Sequence, residues 1–100
     1  MRIKDNKVRV QGFTPELLLG LWIVNEVYKE YGAECLITCG AEGVHSVTSL
    51  HYSGNAVDLR RYADIDMEGL VRECKERLRL HYDIVLEHDH VHLEYQPRYS

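Results

Sequence analysis

The sequence predicts an α+β domain: a small, mainly antiparallel sheet with two principal helices. Three observations carry this reading. Two stretches repeat apolar residues at helical spacing, several short runs alternate as strands do, and two of those runs near the C-terminal end are separated only by a tight turn. Helices mixed with neighbouring strands favour α+β over a repeating βαβ unit. One hundred residues is the size of one domain and enough to bury a core without disulfide staples. Residues 1–100 are therefore read as a single domain.

Taken in order, residues 7–10 read as a short strand followed by a turn at Gly12. Thr14 then suits a helix N-cap, Pro15 the first helical position and Glu16 the positive helix end, while Gly32 can stop the helix. Leu17, Leu21, Val24 and Tyr28, with Leu18 and Trp22 beside them, form the stripe that makes this the main core helix. Residues 34–38 read as a buried strand. Residues 40–54 show no sustained period and carry glycine, serine and histidine, as a long loop that presents side chains does. Residues 56–60 alternate, with Ala56, Asp58 and Arg60 on one face and Val57 and Leu59 on the other. Asp66 caps a second helix in which Met67, Leu70, Val71, Cys74 and Leu78 recur, ending near Leu80. Residues 82–87 and 90–95 form two strands joined near His88 and Asp89.

Composition narrows the function. Sixteen acidic against twelve basic side chains give a net charge of −4, which offers no basic field to a nucleic acid. The apolar and charged fractions are those of a folded soluble protein and argue against a membrane-spanning chain. The first ten residues lack the apolar run of a secretory signal, so synthesis in the cytoplasm is expected. Three cysteines, Cys35, Cys39 and Cys74, with no C-x-x-C pair, fit reduced, buried thiols better than a disulfide framework.

Five of the six histidines fall in two groups, His45 with His51 and His88 with His90 and His92, each near an acidic residue. That pattern resembles a divided metal coordination shell. The rival reading is a set of ordinary surface histidines, sensitive to pH but holding no metal.

The stretch Ser49-Leu50-His51-Tyr52-Ser53-Gly54-Asn55-Ala56-Val57-Asp58 matches S-x-H-x-x-G-x-A-x-D at every named position. It resembles the motif of the zinc D-alanyl-D-alanine carboxypeptidases and their relatives, the lysostaphin-type endopeptidases and the hedgehog signalling domain. The loop looks most like that of small phage and prophage members. The resemblance implies a fold of that group and zinc ligation by His51 and Asp58. The third ligand comes from a later strand, here His92, which ends both an H-x-H with His90 and a D-x-x-H with Asp89. It further implies a zinc metallopeptidase of carboxypeptidase or endolysin type. The substrate would be a peptidoglycan stem or cross-bridge peptide, met after release of the protein to the wall.

Two neutral imidazoles and one carboxylate leave a net positive site with an open position for water, whose pKa falls toward neutrality. Gly54 lets the chain turn between ligands, Ala56 keeps the face beside Asp58 uncrowded, and Ser49 is a candidate to orient His51 or contact substrate. A carboxylate must take a proton from the water and return it to the leaving amine. Asp89 is the favoured candidate, on its spacing to His92. Glu87 is the alternative, because a turn at His88 and Asp89 puts it opposite His90 on the face of His92. His90 is then a donor to the transition-state oxyanion or, as the resemblance to the hedgehog-like branch implies, a residue that holds the ligand sphere. An E-x-x-H reading, with Glu87 as base and His90 as ligand, stays open. Glu94 is read as a solvated strand residue or a partner of Arg60.

One departure bears on substrate choice. Many carboxypeptidase members carry a substrate-holding arginine in a G-Y-R segment, where this chain has Gly40-Ala41-Glu42. Arg60, Arg61 or His45 are the candidates to supply positive charge instead. The departure keeps a second reading alive, a non-catalytic zinc-binding module of the hedgehog type serving stability or partner recognition.

Overall fold

The computed structural model describes residues 2–3, 13–39 and 55–97. The expected strand at 7–10 and loop at 40–54 lie outside the described residues. Five strands form one sheet: β1 (Arg2–Ile3), β2 (Leu36–Cys39), β3 (Ala56–Arg60), β4 (Tyr82–Leu86) and β5 (His90–Tyr95). Their spatial order is β1-β2-β3-β5-β4. The four longer strands pair antiparallel, and the two-residue β1 adds a parallel edge. The α+β class is thus observed. Two helices, α1 (Pro15–Glu30) and α2 (Met67–Leu78), pack on one face, and no helix among the described residues is long and apolar enough to cross a membrane.

Helix α1 begins where the sequence places it. The Thr14 hydroxyl oxygen accepts from the Leu17 N–H at 3.1 Å and donates to Asn55 Oδ1 at 2.8 Å, so the helix cap also grips the residue that leads into β3. Gly32, at φ +75°, turns the chain out of the helix, a conformation glycine adopts without a Cβ penalty. The buried stripe runs Leu17, Gly20, Leu21, Val24, Val27 and Tyr28. Leu18 and Trp22, read as flanking this stripe, are 49% and 66% exposed. Gly20 and Val27 complete the arc instead. A Cβ at position 20 would collide with the Tyr82 ring, so the glycine is what lets that ring seat against α1.

The remaining boundaries shift by a residue or two. Strand β2 starts at Leu36 rather than 34, and α2 stops at Leu78, followed by a 3₁₀ turn over Arg79–His81. The Asp66 carboxylate accepts from the Gly69 N–H at 3.0 Å, the expected cap. At the far end of the pair, Arg77 meets Glu30 with two hydrogen bonds, 2.7 and 2.9 Å, tying α2 to the end of α1.

Strand alternation sorts the sheet into two faces. Val57, Leu59, Ile84, Val91 and Leu93 turn inward against Leu17, Val24, Tyr28, Leu70 and other buried helix residues. Each fully buried Leu or Val there contributes about 1.5–3 kcal/mol. Cys35 and Cys74 join this core as buried free thiols, and burial pushes both up to about 12, which leaves them inert near neutral pH. Tyr28, wholly buried, donates its hydroxyl to the Arg60 carbonyl at 3.0 Å and so pins the end of β3 to α1. The even-numbered residues of β3 and β5 are left on the opposite face.

Candidate metal centre

That opposite face carries the polar residues. In the register of β3 with β5, Ala56 stands opposite Glu94, Asp58 opposite His92 and Arg60 opposite His90. Core packing of the intervening Val57, Leu59, Val91 and Leu93 fixes this register, since a slip by one residue would bury every one of these polar groups. The sheet register thereby brings two histidines and an aspartate together.

Asp58 is the hub. Its Oδ1 lies 2.9 Å from His92 Nδ1 and 3.7 Å from His90 Nε2. Asp58, His90 and His92, each half-buried, offer ligand atoms all within 4.8 Å of one another, close enough to hold a metal ion. A tetrahedral ion with bonds of about 2.05 Å separates its ligands by about 3.3 Å. The two separations at Asp58 bracket that value. Two imidazoles and one carboxylate also suit zinc better than magnesium or calcium, which take all-oxygen shells.

Both histidines hold a second carboxylate on the ring nitrogen away from Asp58. His92 Nε2 lies 2.7 Å from Glu94 Oε1, and His90 Nδ1 lies 2.6 Å from Asp89 Oδ1. The Asp58 hydrogen bond, aided by Glu94, raises the His92 pKa above the ordinary 6.5 against the opposing effect of burial. The hydrogen bond from His90 holds the exposed Asp89 carboxyl below the usual 3.8.

The sequence-read residues divide as follows. Asp58, His90 and His92 are brought together, with Asp89 bonded to His90. Glu87 lies at the hairpin end: its backbone N–H donates to the His90 carbonyl at 2.8 Å, which closes the turn through His88 and Asp89 and puts Glu87 opposite His90, as read. His45, Ser49 and His51 lie outside the described residues. Arg60 shares the face of Asp58, with its guanidinium 5.4 Å from the centroid of the Tyr62 ring. It lines a groove of about 370 Å³ with Leu36, Thr38, Arg61 and Asp89, the last of which is bonded to His90.

One reading needs correction. Glu94 is neither solvated nor paired with Arg60; its side chain is only 19% exposed and is bound to His92. The signal was present in the sequence, because His92 and Glu94 are two apart on a strand and must share a face. The small Ala56 opposite Glu94 leaves space for the carboxylate to lie along the sheet.

No family model matches the chain, and no curated protein matches it significantly.

Proposed function

We propose that the chain is a zinc-dependent hydrolase that cuts a peptide bond in peptidoglycan stem or cross-bridge peptides. The observation that carries the metal is the convergence of Asp58, His90 and His92 on one face of the sheet. The hydrolytic role and the substrate class rest on the S-x-H-x-x-G-x-A-x-D resemblance, of which Asp58 is the last residue.

Asp58 and His92 belong both to the ligand set the motif implies and to the set the geometry gathers, so both are assigned as ligands. The motif gives the third place to His51. His90 is then held by Asp89 with its Nε2 toward the same centre, where it donates to the developing oxyanion. Bound there, zinc supplies a Lewis acid and a water of near-neutral pKa. Asp89, or Glu87 beside it at the hairpin end, takes the proton and returns it to the leaving amine. Arg60 and Arg61, which line a common groove with Asp89, would attract an anionic group of the peptide.

A second arrangement has His90 as the third ligand. Among the described residues it is His90 that completes the metal-competent group. In that arrangement Asp89 orients His90 and Glu87 is the base. His90→Ala separates the two: zinc retained with slowed turnover supports His51 as ligand, and loss of zinc supports His90.

Metal analysis combined with mass spectrometry of peptidoglycan digests tests the function. One zinc per chain and new peptide ends, both absent from Asp58→Ala, are expected. Full hydrolysis by zinc-free protein would overturn the mechanism. Gly40-Ala41-Glu42, standing where the substrate arginine is common, favours the rival non-catalytic module. Bound zinc with no turnover of any wall fragment would establish that rival.

A further inference from the structure

His92 has two nitrogens, and only one can take the ion. Three donor atoms meet on the Nδ1 side: His92 Nδ1 itself, Asp58 Oδ1 at 2.9 Å and His90 Nε2, 3.7 Å from the same oxygen. On the Nε2 side Glu94 Oε1 lies at 2.7 Å, and among the described residues no metal-competent group of three or more residues includes Glu94. An ion placed at Nε2 would forgo Asp58 and His90 and displace a short hydrogen bond.

We infer that Glu94 is a positioning residue: it accepts the Nε2–H of His92 and so commits the ring's Nδ1 lone pair to the ion beside Asp58. The inference rests on the metal reading above and adds to it the ligating atom and the group that selects it. Three features make Glu94 suited to this. It stands two residues from His92 on β5, so strand geometry alone puts it on the same face. Ala56 opposite it brings no bulk to divert the carboxylate. Its low exposure keeps water from competing for the ring proton. A carboxylate on the distal nitrogen fixes the tautomer, holds the ring plane toward the ion and makes the ligating nitrogen more basic.

The test uses the whole ¹⁵N-labelled chain, with long-range ¹H–¹⁵N correlation of the histidine rings before and after one equivalent of zinc. Chelator competition gives zinc affinity in parallel. The expected result is zinc on Nδ1 of His92 with Nε2 protonated. Glu94→Ala lowers zinc affinity about 10–100-fold, and Glu94→Gln, whose amide oxygen still accepts the ring proton, keeps Nδ1 ligation with a smaller loss. Zinc on Nε2 of His92 would overturn the inference while leaving the metal reading intact, as would a Glu94→Ala affinity within twofold of the parent. Absence of zinc uptake by the parent protein would overturn both. If Glu94→Ala does not fold, the parent spectrum and Glu94→Gln decide the matter.

Discussion

Replacing Asp58 by asparagine keeps the shape of the side chain and removes its charge. In the structure Asp58 Oδ1 is the atom shared by both close approaches, 2.9 Å to His92 and 3.7 Å to His90, and the sole carboxylate in the metal-competent group. Zinc held by a full set of four ligands is worth about 10–16 kcal/mol in small domains, which spread evenly gives about 2.5–4 kcal/mol per ligand. The substitution should therefore weaken zinc binding on the order of 10²–10³-fold, at about 1.4 kcal/mol per decade. Competition against a chromogenic chelator at fixed pH measures this. Thermal or urea unfolding of the metal-free variant supplies the control, with a loss of about 1 kcal/mol for weakening one part-exposed hydrogen bond. Zinc affinity within threefold of the parent would mean instead that the ion sits away from Asp58.

Three other outcomes follow from the same geometry. Tyr28→Phe deletes the hydrogen bond to the Arg60 carbonyl and should cost about 1 kcal/mol in urea unfolding; no loss would mean that β3 is not anchored there. Gly20→Ala gains about 1 kcal/mol of helix propensity but forces the Tyr82 ring off α1, whose hydroxyl donates to the Glu16 carbonyl at 2.6 Å. The overpacking costs about 1–3 kcal/mol, so a net fall in melting temperature is expected, and a rise would count against the close packing. The pH dependence of the metal-free protein follows from His92. Its folded pKa is raised above 6.5, so the stability it contributes is fully present below 6.5 and is lost as pH rises through the folded value. The urea midpoint of metal-free protein should thus show a component that declines above pH 6.5 and vanishes in His92→Gln; the same decline in that variant would remove His92 as the cause.

Much of this fold was legible in local chemistry. Thr14, Pro15 and Gly32 delimit α1, Asp66 starts α2, and the hairpin with its turn at His88 and Asp89 follows from two alternating runs set close together. What local signals do not carry is partner choice over distance. The parallel pairing of Arg2 and Ile3 with β2, and the irregular register between Ile37 and Cys39, depend on contacts far apart in sequence. Helix periodicity marks an apolar stripe but not its width, so Leu18 and Trp22 read as core neighbours while their side chains face outward. At the centre, alternation alone put Asp58 with Ala56 and Arg60 on one face of β3 and His90 with His92 on one face of β5. The role of Glu94 was missed because a glutamate near a strand end is most often solvated. The face shared with His92 was readable from their spacing, whereas Ala56 across from Glu94 comes only from the register.

The proposed chemistry depends on one divalent ion lying between Asp58 and His92. Anomalous diffraction at the zinc absorption edge, from crystals grown with one equivalent of zinc, examines that directly. A peak about 2 Å from both Asp58 Oδ1 and His92 Nδ1 is predicted. An intact hydrogen bond between those two side chains with no anomalous density beside them, or density at other residues only, would contradict it.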